Sequence, residues 1–203
     1  MSDPFTPYKK KVLEHFWNVS KWAIPHFFDD RPCIAAGRVA FDVLREFRVK
    51  VRPFSVKMHV YNPVMTERIL AGQRCDTEEQ YREWEAAGCV QANVGFGEPQ
   101  PGCWAGHLVV IVEGQLMFDL TLTQATRPHW GIQMEPLAAL VEPGFLAGTE
   151  NHVEVVNGCG VKYMPYPEDK SYERAPSWNL KDRTARCTDE VKYRIRRALK
   201  GKP

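Results

Sequence analysis

The sequence predicts an α+β domain in which an antiparallel sheet packs on helices and a cysteine opens the second helix. Three observations carry this expectation. Apolar residues recur at helical spacing in two early stretches, residues 8–22 and 32–47. Phe54, Val56, Met58 and Val60 then alternate with Ser55, Lys57, His59 and Tyr61, the pattern of a half-buried strand. Further on, Glu113-Gly114 and Asn157-Gly158 each separate two β-rich runs, which reads as two hairpins.

From Tyr8 to Trp22, Val12, Leu13, Phe16, Trp17 and Val19 line one side, with Lys9, Lys10, Lys11 and Glu14 on the other. The second helix is expected from Pro32 to Phe47, with Asp30 as N-cap and Pro32 in the first turn, where a missing N–H costs nothing. Val49 to Tyr61 reads as one or two strands. Pro63 to Gly88 reads as polar helix, with capping-box spacing in Thr77-Glu78-Glu79-Gln80 and a stop at Gly88. Four glycines and two prolines between Gly95 and Gly106 mark a loop that leads into a hairpin from His107 to Thr123. Pro128 to Gly148 is expected to be irregular, with a short helix at Leu137 to Val141. Val153–Val156 and Val161–Met164 form the arms of the second hairpin, Tyr166 to Arg186 a polar arm, and Thr188 to Lys200 a basic helix. Residues 1–165 are therefore expected to form the main domain, with residues 166–203 packed on it or appended to it.

The 203 residues are 44% apolar and 11% aromatic, enough for a substantial core. The net charge of +2 gives no global field for nucleic acid or membrane. The run from Lys192 to Lys200 is basic but lacks an aromatic platform, and it reads as a solvated helix end rather than a nucleic-acid surface. Cysteines stand at positions 33, 75, 89, 103, 159 and 187. With no leader-like apolar run at the start, these are expected to be reduced thiols of a cytoplasmic protein with no membrane span.

Cys33 is the first candidate functional residue. A thiol in the first turn of a helix faces unpaired N–H groups and the positive end of the helix dipole, and both favour the nucleophilic thiolate. A thiol enzyme also needs a base and a group that orients it. His107 opens an apolar strand directly after the glycine-rich loop, and Asp119 is an unusual residue in the apolar run Leu116 to Leu122. The hairpin register tests this assignment. A bare two-residue turn at Glu113-Gly114 pairs His107 with Leu120 and turns Asp119 to the opposite face. A three-residue loop or a single bulge puts His107 and Asp119 on one face as a cross-strand pair, and this odd register is expected.

The run Cys33-x-x-x-Gly37-Arg38-Val39-Ala40-Phe41-Asp42-Val43-Leu44-Arg45-Glu46-Phe47-Arg48-Val49-x-Val51-Arg52 resembles the nucleophile helix of the transglutaminase-like superfamily. Gly106-His107 and Asp119-Leu120-Thr121 resemble its His strand and its Asp-x-Thr strand, so the likeness covers about residues 30–125. It departs from the family at Ile34, where an aromatic residue often follows the Cys, at Val109, where a Trp is often found, and in a short His-to-Asp spacing. The resemblance implies a transglutaminase-like, papain-like fold with Cys33 as nucleophile, His107 as general base and acid, and Asp119 orienting the imidazole. It implies a cysteine-dependent hydrolase of peptide or isopeptide amide bonds in a protein or peptide-like substrate, with no metal or organic cofactor. Acyl transfer or deamidation by the same triad, and an inactive binding module of the same fold, are the alternatives.

Other assignments compete. Gly102-Cys103-Trp104 resembles a papain-type nucleophile motif, but Cys103 leads into a strand rather than a helix. Cys103-x-x-x-His107 is half of a zinc pattern that Cys75 or Cys89 would have to complete. His59, His129 and His152 are alternative bases. Gln124 is a candidate cleft-facing amide, and Trp104, Arg127 and Trp130 are candidate groove residues.

Overall fold

The structure is a computed structural model that describes residues 5–29, 32–97, 104–179 and 181–201. Helix α1 runs from Pro7 to Phe27, capped by the Thr6 side chain, and continues one turn beyond the expected end through Pro25. Its buried residues include Val12, Leu13, Phe16 and Ile24. Helix α2, Cys33–Glu46, begins at the expected cysteine with Pro32 at the N-cap position and no side-chain cap. The expected cap, Asp30, lies outside the described residues.

Val51–Tyr61 is one long strand, β1, with Phe54, Val56, Met58 and Val60 all buried. Two short helices follow, α3 (Pro63–Leu70) and α4 (Glu78–Ala86), the latter started by the Thr77/Gln80 capping box. The remaining strands are β2 (Gln91–Val94), β3 (His107–Val112), β4 (Leu116–Asp119), β5 (Leu137–Leu140), β6 (His152–Val156) and β7 (Cys159–Pro165). The sheet is antiparallel in the order β5-β4-β3-β1-β7-β6. Strand β2 pairs the C-terminal half of β1, beyond the stretch that β3 occupies.

Two expectations are corrected here. Leu137–Leu140 is a strand against β4, and the short helix of this region, α5, lies at Pro143–Ala147. Residues this short and apolar suit either state, and the open edge of β4 supplies the hydrogen bonds that decide it. The final helix, α6, spans Lys181–Leu199 and so begins inside the segment expected to be an arm. Its Cys187, Val191 and Ile195 are fully buried against α1 and α2, which outweighs the polar composition of its first turns. Lys192 and Arg196 both bind Glu46 at the end of α2, and the Lys192 hydrogen bond in particular holds that carboxyl below its ordinary pKa.

One core lies between α1, α2, α6 and the sheet face that carries Val110, Val112 and Phe118. The second lies on the opposite face, where Met58, Val109, Ile111, Met117 and Val161 meet Ile132, Met134 and Phe145, and the sheet curls into a nearly closed, barrel-like form around it. Both faces of β3 are therefore covered, and all six of its residues are buried.

Gly37 sets the distance between α2 and β3. A Cβ at this position would stand 2.6 Å from Leu108 Cδ2, so the helix sits against the strand only because no side chain intervenes. Gly37→Val is expected to cost about 1–3 kcal/mol in urea unfolding through overpacking. Gly37→Ala should cost less, because the obstructing atom is the mobile tip of Leu108.

Candidate active site

The β3–β4 hairpin brings His107 and Asp119 together. Gln115 N donates to Val112 O (3.1 Å), and Glu113 and Gly114 adopt positive φ of 50° and 73°, a two-residue turn of the kind that matches strand twist. The ladder nonetheless pairs Val112 with Leu116, so Gln115 is one extra residue and the register is odd. Glu113 is held in its left-handed conformation by Lys9 Nζ at 2.8 Å and Lys50 N at 2.8 Å. His107 and Asp119 share a face, as expected. They are not the direct pair that was expected. Continued to the strand ends, the ladder sets Asp119 across from Val109, so Asp119 is the diagonal neighbour of His107. The reach of the His side chain closes the gap.

His107 Nε2 lies 2.9 Å from Asp119 Oδ2, and both side chains are buried. With Nε2 engaged, Nδ1 is the ring nitrogen left for another partner. Cys33, the first residue of α2, is near enough to the ring to raise its pKa, while Nδ1 itself is buried without a hydrogen-bond partner. Burial pushes the imidazole pKa down. The Asp119 charge and hydrogen bond, reinforced by Cys33, push it up more strongly, to about 10.

Asp119 is held by three donors. Besides His107, the Tyr163 hydroxyl donates to Oδ2 at 3.0 Å and Thr121 N–H to Oδ1 at 3.1 Å. Burial first, and then the Asp119 charge, raise the Tyr163 pKa well above its ordinary value, so the phenol remains a donor. Tyr163 belongs to β7, three strands from β4 in the sheet order. In a flat sheet these strands would lie about 14 Å apart, so the contact depends on the curl. Sequence reasoning missed Tyr163. Its parity with buried Val161 marked an inward position, but nothing local showed that the hydroxyl meets a carboxylate.

Around the sulfur, Cys33 is 7% exposed and packs with Ile34, Leu108, Tyr172 and Ala175, with Trp104 and Trp178 alongside. The segment that precedes α6 supplies much of this wall through 3₁₀ turns at Ser171–Arg174 and Pro176–Trp178. Trp104 is anchored there by its indole N–H, which donates to Asp169 Oδ2 at 3.2 Å. On the other side of Pro32 a cleft of about 360 Å³ opens between the end of α1 and the segment after β4. That segment, Leu122–Ala125, is a 3₁₀ turn rather than the end of the strand. Gln124 lines the cleft, and its Nε2 is buried without a partner, as is Thr121 Oγ1. Buried unpaired polar atoms cost about 1–3 kcal/mol each.

The other candidates are placed elsewhere. His59 binds Asn93 Oδ1 at 2.7 Å and stacks on Phe96, His129 is exposed beside Trp130, and His152 Nε2 lies 3.0 Å from Glu154 Oε1. Arg127 Nη1 donates to the Gln124 and Thr126 carbonyls and holds the turn. Cys103 lies outside the described residues, and among the described residues no three His, Cys, Asp or Glu side chains cluster as metal ligands. Cys33, Cys75, Cys89, Cys159 and Cys187 are free thiols. Burial pushes Cys187 up to about 12 and also raises Cys89. Among the described residues no helix is long and apolar enough to cross a membrane. No protein-family model, curated protein or solved structure matches the chain.

Proposed function

We propose that the protein is a cysteine-dependent hydrolase of amide bonds, transglutaminase-like in architecture, that works through Cys33, His107 and Asp119. One observation carries this: a buried imidazole is held by a carboxylate through Nε2 and has a thiol beside its ring. In this reading the imidazole, oriented by Asp119, is the base that takes the thiol proton. The sulfur is left as thiolate facing imidazolium.

In the proposed reaction the thiolate adds to the amide carbon, and the carbonyl π pair moves onto oxygen. The first-turn N–H groups of α2, where Pro32 at the N-cap position offers no side-chain cap, stabilise the oxyanion. His107 Nδ1–H protonates the leaving nitrogen, the C–N bond breaks and a thioester remains. The neutral ring then takes a proton from water, whose oxygen adds to the thioester carbon, and sulfur leaves as thiolate. Water needs no second binding site, which favours hydrolysis over transfer.

Alkylation with limiting iodoacetamide at pH 6, mapped by mass spectrometry, tests this. Cys33 is expected to carry nearly all of the label, ahead of the more accessible Cys75. A second reading, a binding module of the same architecture without catalysis, is favoured by the aromatic wall that leaves Cys33 only 7% exposed. Label on Cys75 with Cys33 spared would select it.

A further inference from the structure

The cleft beside Pro32 borders both ends of the triad. Pro32 directly precedes Cys33, and Thr121, on the opposite wall, donates its N–H to Asp119. Ile24, Pro25 and Phe28 from the end of α1 make the remaining wall apolar. Among the described residues no cation lines it, and the charged residue at its edge, Asp29, is 87% exposed and lies 3.4 Å from Arg183. The described walls thus offer apolar surface and neutral polar groups, which suit an uncharged ligand better than a carboxylate. A volume of about 360 Å³ is at the small end for ligand clefts and suits one or two residues rather than an extended chain.

The polar side of the cleft has donor capacity to spare. Thr121 is 2% exposed with Oγ1 unpaired, and Gln124 Nε2 is buried and unpaired. The Gln124 main chain is committed in both directions: its N–H donates to Thr121 O at 2.9 Å, and its carbonyl accepts from Arg127 at 2.8 Å. The root of the side chain is thus fixed, while its terminal amide turns about a soft torsion and can present the N–H to a ligand in the cleft. A buried amide without a partner, on a rigid turn that lines the same cleft as Pro32, is what a site for a carbonyl acceptor requires.

We propose that this cleft binds the acyl side of the substrate, taking a neutral aliphatic residue against Ile24, Pro25 and Phe28 while an adjacent peptide carbonyl accepts a hydrogen bond from Gln124. The proposal rests on Cys33 being the nucleophile and adds the class of substrate: short peptides or N-acyl amino acid amides with an uncharged aliphatic residue on the acyl side of the scissile bond.

The test uses the full chain carrying Cys33→Ala, so that nothing is turned over, titrated with N-acetyl-leucinamide and with the corresponding aspartate amide. The leucine compound is expected to bind at least tenfold more tightly than the aspartate compound and to shift the Gln124 side-chain amide resonance. Gln124→Leu and the isosteric Gln124→Glu are each expected to weaken leucinamide binding about tenfold, the loss of one hydrogen bond, with the melting temperature of the parent retained. Equal affinity for the two compounds, or leucinamide binding unchanged in both Gln124 variants, overturns the proposal. Failure of the catalytic reading is separately visible. In that case wild-type Cys33 stays inert to iodoacetamide while leucinamide still binds in a Gln124-dependent way.

Discussion

Asp119→Ala is expected to slow formation of the acyl-enzyme about 10³–10⁴-fold, the scale seen when the orienting carboxylate of such triads is removed. The same change should destabilise the fold by about 3–5 kcal/mol, because it leaves buried charged and polar groups without their partner. Those groups are the His107 ring, the Tyr163 hydroxyl and the Thr121 N–H, all of which converge on this one carboxylate. Asp119→Asn separates the two effects: it preserves shape and one acceptor oxygen while removing the charge that sets the ring's basicity. Single-turnover kinetics and urea unfolding, run side by side, give both numbers. Retention of full acylation in Asp119→Asn would show that the carboxylate is structural. Tyr163→Phe probes the outer contact, and the pH profile of Cys33 labelling should move with it if Tyr163 positions the carboxylate.

The second large effect concerns pH. In His107→Ala the rate of Cys33 alkylation at pH 6 is expected to fall by about two orders of magnitude, since an unassisted thiol with a pKa of about 8.5 is only ~0.3% ionised there. Near pH 10 the two proteins should converge. Stability should show a parallel convergence. The folded-state pKa of His107, about 10, lies above its ordinary value of 6.5, so the native protein binds the proton more tightly than the unfolded chain. This contribution is complete below about pH 6.5 and is lost as pH rises through about 10. The stability gap between wild type and His107→Ala, read from urea midpoints, should therefore shrink steadily between pH 6.5 and 10. A gap that is flat across that window, or that widens, sinks the imidazolium assignment.

Much of this site is legible in the chain. Pro32 before an amphipathic run announces a helix that starts at Cys33, and Gly114 and Asn157-Gly158, residues that accept positive φ, announce both hairpins. The odd register follows from asking which pairing lets His107 and Asp119 share a face, because side chains alternate with a period of two. The diagonal offset follows from where the extra residue lies: with Gln115 on the β4 side, His107 falls across from Thr121 and Asp119 across from Val109, whereas a direct pair would need the extra residue in β3. Leu137–Leu140 was misassigned for a different reason. Four apolar residues carry no periodicity of their own, and the open edge of β4 made them a strand.

The local elements are written in the chain: which residues cap, which alternate and where it turns, together with the residue types that a thiol site requires. These are short-range matters of backbone conformation and solvent avoidance. Long-range packing sets α2 against β3 at Gly37, curls the sheet far enough for Tyr163 to meet Asp119, and walls in Cys33 with the segment before α6. Those contacts join residues far apart in the chain. Their formation depends on how two cores pack on opposite faces of one sheet, which no local pattern encodes.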